Sequence, residues 1–162
     1  MPTTYEPIST QTLTNNTTAT VTFSSVPATY TDLILIFGGT RTTGAADIFL
    51  RFNGDTATNY SRLYISGNGS AAGSAKGSNE TSFLGGGYVQ TVVGSSIFQI
   101  FNYANATTFK TVLARTNYTD TGVSAYVGLW RATPAAITTV LVGTSNFFAS
   151  GSTFTLYGIK AA

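Results

Sequence analysis

Cysteine and histidine are both absent from this 162-residue chain. Without cysteine there is no disulfide, no thiolate nucleophile and no sulfur ligand for a metal. Without histidine, Ser-His-Asp and Cys-His nucleophilic arrangements are excluded, as is every histidine metal site. Charge is scarce as well. Asp, Glu, Lys and Arg make up 9% of the residues, against about 25% in typical soluble domains. A monomer free in water normally covers itself with these groups. This chain has Thr, Ser, Asn, Gly and Tyr to show instead, which suits a subunit packed among neighbours. The eight basic residues give a net charge of +2, but they are scattered singly. The basic stripe of a nucleic-acid binder is therefore missing. No apolar run approaches the length of a membrane span, and no charged segment followed by an apolar one opens the chain, so neither a span nor a signal peptide is expected.

What the chain has is strand patterning. Hydrophobic residues form 43% of it, enough for one globular domain with a sizeable core. The stretch Ser96–Thr116 reads as two strands joined by the polar link Tyr103–Thr107. The first is apolar on both faces, and so is expected to be central and covered; the second is apolar on one face only. Asp32–Gly38 is a short, continuous apolar run bounded by turn residues, as in a buried central strand. Asp47–Phe52 alternates Ile48, Leu50 and Phe52 inward, and Asn53-Gly54-Asp55 supplies a type I′ turn signal. Further strands are expected at Ala19–Phe23, Asn59–Ile65, Tyr88–Val93, Gly122–Arg131, Ile137–Gly143 and Thr153–Ile159. Residues 1–16 read as an N-terminal arm or an edge strand, because their prolines keep them out of a sheet centre. Residues 66–80 are rich in Gly, Ser and Ala and read as a long surface loop. No helix template fits over eleven residues. Strand signals recur at intervals of about 8–14 residues, with turn residues between them. The expected fold is a single all-β domain over 1–162: an antiparallel, jelly-roll-like β-sandwich of about nine or ten strands.

Chemistry is thin. The six acids are Glu6, Asp32, Asp47, Asp55, Glu80 and Asp120. Each is placed by the pattern at a strand edge or turn, where acids ordinarily serve as solvated or capping groups, so no enzyme, cofactor or metal is expected. Gly67–Gly73 has the wrong spacing for a dinucleotide loop and lacks the strand–turn–helix setting. A turn explains Asn53-Gly54-Asp55 without a cation, since a calcium site needs further converging oxygens. The aromatics Tyr60, Tyr64, Tyr88, Tyr126 and Trp130 remain. They suit the core or a subunit interface, with a carbohydrate-binding face as the alternative.

Four segments, MPTTYEPIST, VTFSSVPATYTDLILI, RFNGDTATNYS and FFASGSTFTLYGIKAA, together resemble a family of small virion structural proteins encoded by tailed bacteriophages. The stretch 66–87 carries no part of the resemblance. The likeness implies a non-enzymatic β-sandwich component of the phage particle. The expected role is a capsid decoration (cement) protein on the particle surface, on the head rather than the tail. It would bind the major capsid protein or other virion proteins, most simply as a homotrimer, and neither nucleic acid nor membrane. The alternative is a tail-fibre, receptor-binding or lectin-like module that holds host polysaccharide. The expected contact element is the arm, with Tyr5, Ile8 and Leu13 as apolar anchors.

Overall fold

The computed structural model describes residues 4–118 and 122–160. It has twelve strands: β1 (Tyr5–Thr12), β2 (Thr18–Phe23), β3 (Asp32–Gly39), β4 (Ala46–Phe52), β5 (Tyr60–Gly67), β6 (Ala72–Glu80), β7 (Phe83–Val89), β8 (Gly94–Ile100), β9 (Lys110–Tyr118), β10 (Gly122–Trp130), β11 (Val140–Phe148) and β12 (Thr153–Ile159). They form an eight-stranded sheet, β1-β12-β3-β8-β9-β10-β5-β6, and a four-stranded sheet, β2-β11-β4-β7. Every pairing is antiparallel.

Eight of these strands pair in nested fashion: β1 with β12, β2 with β11, β3 with β8, β4 with β7. This is one long hairpin rolled up into two sheets, the jelly-roll arrangement. Two hairpins are added to it. β9–β10 follows β8, and β5–β6 lies between β4 and β7 in the chain; both extend the large sheet beyond β8. The large sheet therefore overhangs the small one.

The core lies between the sheets. Leu33, Leu35 and Phe37 of β3, Ile48, Leu50 and Phe52 of β4, and Phe98 and Ile100 of β8 are buried, as their period-two spacing requires. The Asn53-Gly54 turn has positive φ at both residues, 52° and 71°, but it leads across to the other sheet rather than closing a hairpin. The Asn53 side chain fixes it by accepting from the backbone N–H of Thr138 at 2.8 Å and of Thr139 at 3.1 Å.

Three expectations need correcting. Residues 66–80 are not a loop: β5 runs to Gly67, and β6 pairs with it along its length. Backbone hydrogen bonds hold β6, whose small side chains are almost all exposed, so no alternation of apolar residues announces it. β7 spans the Gly85-Gly86-Gly87 run rather than following it. A Cβ on Gly86 would lie 2.3 Å from Ile48 Cβ and 2.8 Å from the Phe98 ring, so that strand meets the core with bare backbone. The outer face of β8 is not covered by any layer of the described residues, and Ile97 and Gln99 are partly exposed there. Of the two readings of residues 1–16, residues 5–12 form the edge strand, β1. A bulge at Ile8 follows Pro7, which an edge strand tolerates. Ile8 and Leu13 pack on the chain's own core, and only Tyr5 is well exposed. Residues 1–3 of the expected arm lie outside the described residues, as does Asp120.

Candidate functional site

β10 has two apolar faces, Val123, Ala125, Val127 and Leu129 on one and Tyr126 and Trp130 on the other. The aromatic face is turned inward. Gly128 shares it, and a Cβ there would lie 2.1 Å from the Phe83 ring; that ring fills the space against the small sheet. The aliphatic face is turned outward and stays uncovered. Val123 is 63% exposed and Val127 48%.

The neighbouring strands extend this outer face. Ala125 stands opposite Ile65 on β5 and Arg115 on β9, and Val127 opposite Leu63 and Leu113. Arg115 stands opposite Ile97, and Ile97 opposite Ile36 on β3. Leu63 and Ile65 are 55% and 60% exposed. At one end the face forms an open groove of about 1010 Å³, lined by Ile65, Ile97, Arg115, Asn117, Val123 and Ala125 among others. Contiguous exposed apolar surface of this kind makes the face a candidate interaction surface. Its groove is lined by aliphatic and small polar side chains around the one cation, Arg115.

The aromatic candidates lie elsewhere. Tyr60 and Trp130 are interior, their rings 6.4 Å apart, with Phe52 5.6 Å from Trp130. The Tyr60 hydroxyl accepts from the backbone N–H of Phe52 at 3.0 Å, and burial pushes that hydroxyl up to about 12. Tyr126 is also buried, with its hydroxyl pushed up to about 12, again chiefly by burial. Tyr64 is partly buried and Tyr88 is 48% exposed. The five do not make one face.

Three of them do converge. Under the overhang, Tyr64, Tyr88 and Tyr126 line a small crevice with Asp47, Arg62, Ser66 and Ser124. Asp47 and Tyr88 are cross-strand neighbours on β4 and β7. Tyr64 and Tyr126 face each other on β5 and β10, ring centroids 5.1 Å apart. Arg62 donates to Glu80 at 3.2 Å and lies 5.6 Å from the centre of the Tyr64 ring. Burial raises the Asp47 carboxyl above the ordinary aspartate value, partly offset by the charge of Arg62. Asp55, on the far side, is tied into the fold by Trp130, Asn59 and the backbone of Ala57.

Sequence reasoning did not distinguish Leu63, Ile65, Val123 and Val127 as outward-facing. Gly128 was the available signal, since a glycine among large inward rings implies that something packs onto the backbone. Among the described residues no three acids converge as metal ligands. No protein-family model matches the chain, and no curated protein matches it.

Proposed function

We propose that this chain is a non-enzymatic structural protein of a tailed-bacteriophage particle, a decoration protein on the outside of the head. It binds the major capsid protein through the outer face of its large sheet. One observation carries the reading: an eight-stranded sheet whose outer side exposes Leu63, Ile65, Val123 and Val127 together. Each such side chain contributes roughly 1.5–3 kcal/mol when fully buried. The complementary capsid surface is apolar, with a carboxylate placed to meet Arg115. The resemblance to phage virion proteins and the low charge of the chain support the same reading. The interior positions of Tyr60, Tyr126 and Trp130 weigh against a receptor-binding module with a broad aromatic platform.

The protein acts by buried area, bridging neighbouring shell subunits as a homotrimer. Cryo-electron microscopy of purified particles from the phage that encodes the chain tests this. The expected result is a twelve-stranded jelly roll on the head exterior with its large sheet against the shell. Density for the chain on the tail alone, or its absence from the particle, contradicts it.

A further inference from the structure

We propose that the crevice under the sheet overhang binds the hydroxyl-bearing edge of a neutral hexopyranose. The inference goes beyond the decoration role and holds wherever on a particle the chain sits. The crevice has a volume of about 120 Å³, well below the roughly 300–1,000 Å³ of pockets that bury a whole small ligand. It fits one edge of a sugar ring and not an oligosaccharide.

Its lining is built for hydroxyls. Ser66 and Ser124 are cross-strand neighbours on the floor, and the three tyrosines add phenolic groups. The Ser124 and Tyr126 hydroxyls bond to each other, and a hydroxyl engaged in one hydrogen bond still has capacity for another. Asp47 supplies a carboxylate, which accepts from two adjacent sugar hydroxyls at once. Arg62 is fixed by Glu80 and the Leu84 carbonyl, leaving the rest of its fork as donor.

Asp47 forms no ion pair: among the described residues the ion pairs are Arg62–Glu80 and Lys160–Glu6. A carboxylate held under an overhang, its burial only partly offset by the charge of the neighbouring arginine, is destabilising to the fold, and such groups concentrate at binding sites. Two other ligand classes fit less well. A cation would need bare ring faces, whereas Tyr64 is already occupied by the Arg62 guanidinium and the Tyr126 ring. A uronate would bring its own carboxylate against Asp47.

A chemical-shift titration of the ¹⁵N-labelled full chain tests the site. The probes are the methyl glycosides of glucose, galactose and mannose, with glucuronate and tetramethylammonium as comparisons. At least one neutral glycoside is expected to give saturable shifts confined to the amides around Asp47, Tyr64, Ser66, Tyr88 and Ser124, with a dissociation constant of about a millimolar. Asp47→Asn and Tyr88→Phe, each shown by a cooperative thermal melt to be folded, are expected to weaken that binding, Asp47→Asn by about tenfold. The proposal is overturned by the absence of saturable shifts with all three glycosides. It is equally overturned by tighter binding of glucuronate or tetramethylammonium, or by wild-type affinity in both variants.

Discussion

The indole N–H of Trp130 donates to a carboxylate oxygen of Asp55 at 2.6 Å. The bond joins the end of β10 in the large sheet to the turn that leaves β4 in the small one. Asn59 Nδ2 donates to the same oxygen at 2.9 Å, and the backbone N–H of Ala57 to the other at 2.8 Å. A turn that sequence patterning reads as a local feature is thus a clamp between the two layers. Replacing Asp55 by Ala leaves a buried indole donor without its acceptor. The expected loss is about 1.5–3 kcal/mol, a fall in Tm of roughly 3–12 °C for a chain of this size, read by thermal melting.

The two aspartates have opposite pH signatures. Burial alone would raise Asp55, but the hydrogen bonds from Trp130, Asn59 and Ala57 outweigh it and hold the carboxyl below its ordinary value. Its contribution is therefore present above the unfolded value and is lost as pH falls through the folded one. Asp47 is raised by burial, so its contribution is present at low pH and is lost as pH rises through its folded value. Asp47→Asn is expected to raise Tm at pH 7 and to change it little below about pH 4. Asp55→Asn is expected to lower Tm at pH 7, with the difference shrinking in acid. Melting curves of the two variants from pH 3 to 8 check both signs.

Close packing of Phe83 on Gly128 is what turns β10 over. Gly128→Ala would place a methyl 2.1 Å from the ring, and the overpacking is expected to cost about 1–3 kcal/mol. Phe83→Leu in the same chain should restore part of that loss. Additive effects in this double-mutant cycle would show that the two residues do not meet.

β6 is a strand, and its amides must show it. Alternate amides of residues 72–80 bond to β5 across the register Gly67–Ala72 to Tyr60–Glu80, while the others point away from the sheet. Hydrogen exchange read residue by residue is expected to alternate between protected and fast amides along this segment. Uniformly fast exchange would return the segment to a loop.

How far the sequence was legible depends on where side chains carry the signal. Asp32–Gly38 and Asp47–Phe52 announce themselves because their apolar residues meet the core, and the Asn53-Gly54 turn because its dihedral angles favour those residues. β6 was hidden because Ala, Gly and Ser carry no period, and its order comes from backbone pairing with β5. The outer face was hidden for the opposite reason. Both faces of β10 are apolar, and which one is buried is decided by Phe83, some forty residues earlier in the chain. The crevice joins residues of β4, β5, β7 and β10, a set that only the nested topology brings together. Tyr5, Ile8 and Leu13 look like anchors for a partner, but two of the three pack on this chain's own core.

The role of the outer face is tested most directly by cosedimentation with phage particles stripped of this protein. Val123→Lys with Leu63→Lys places two charges on exposed positions of the face, and Tm is expected to stay within a few degrees of wild type. If the large sheet docks on the capsid, the folded double variant binds particles at least about tenfold more weakly than the wild-type chain. Equal binding by the two proteins would contradict the account.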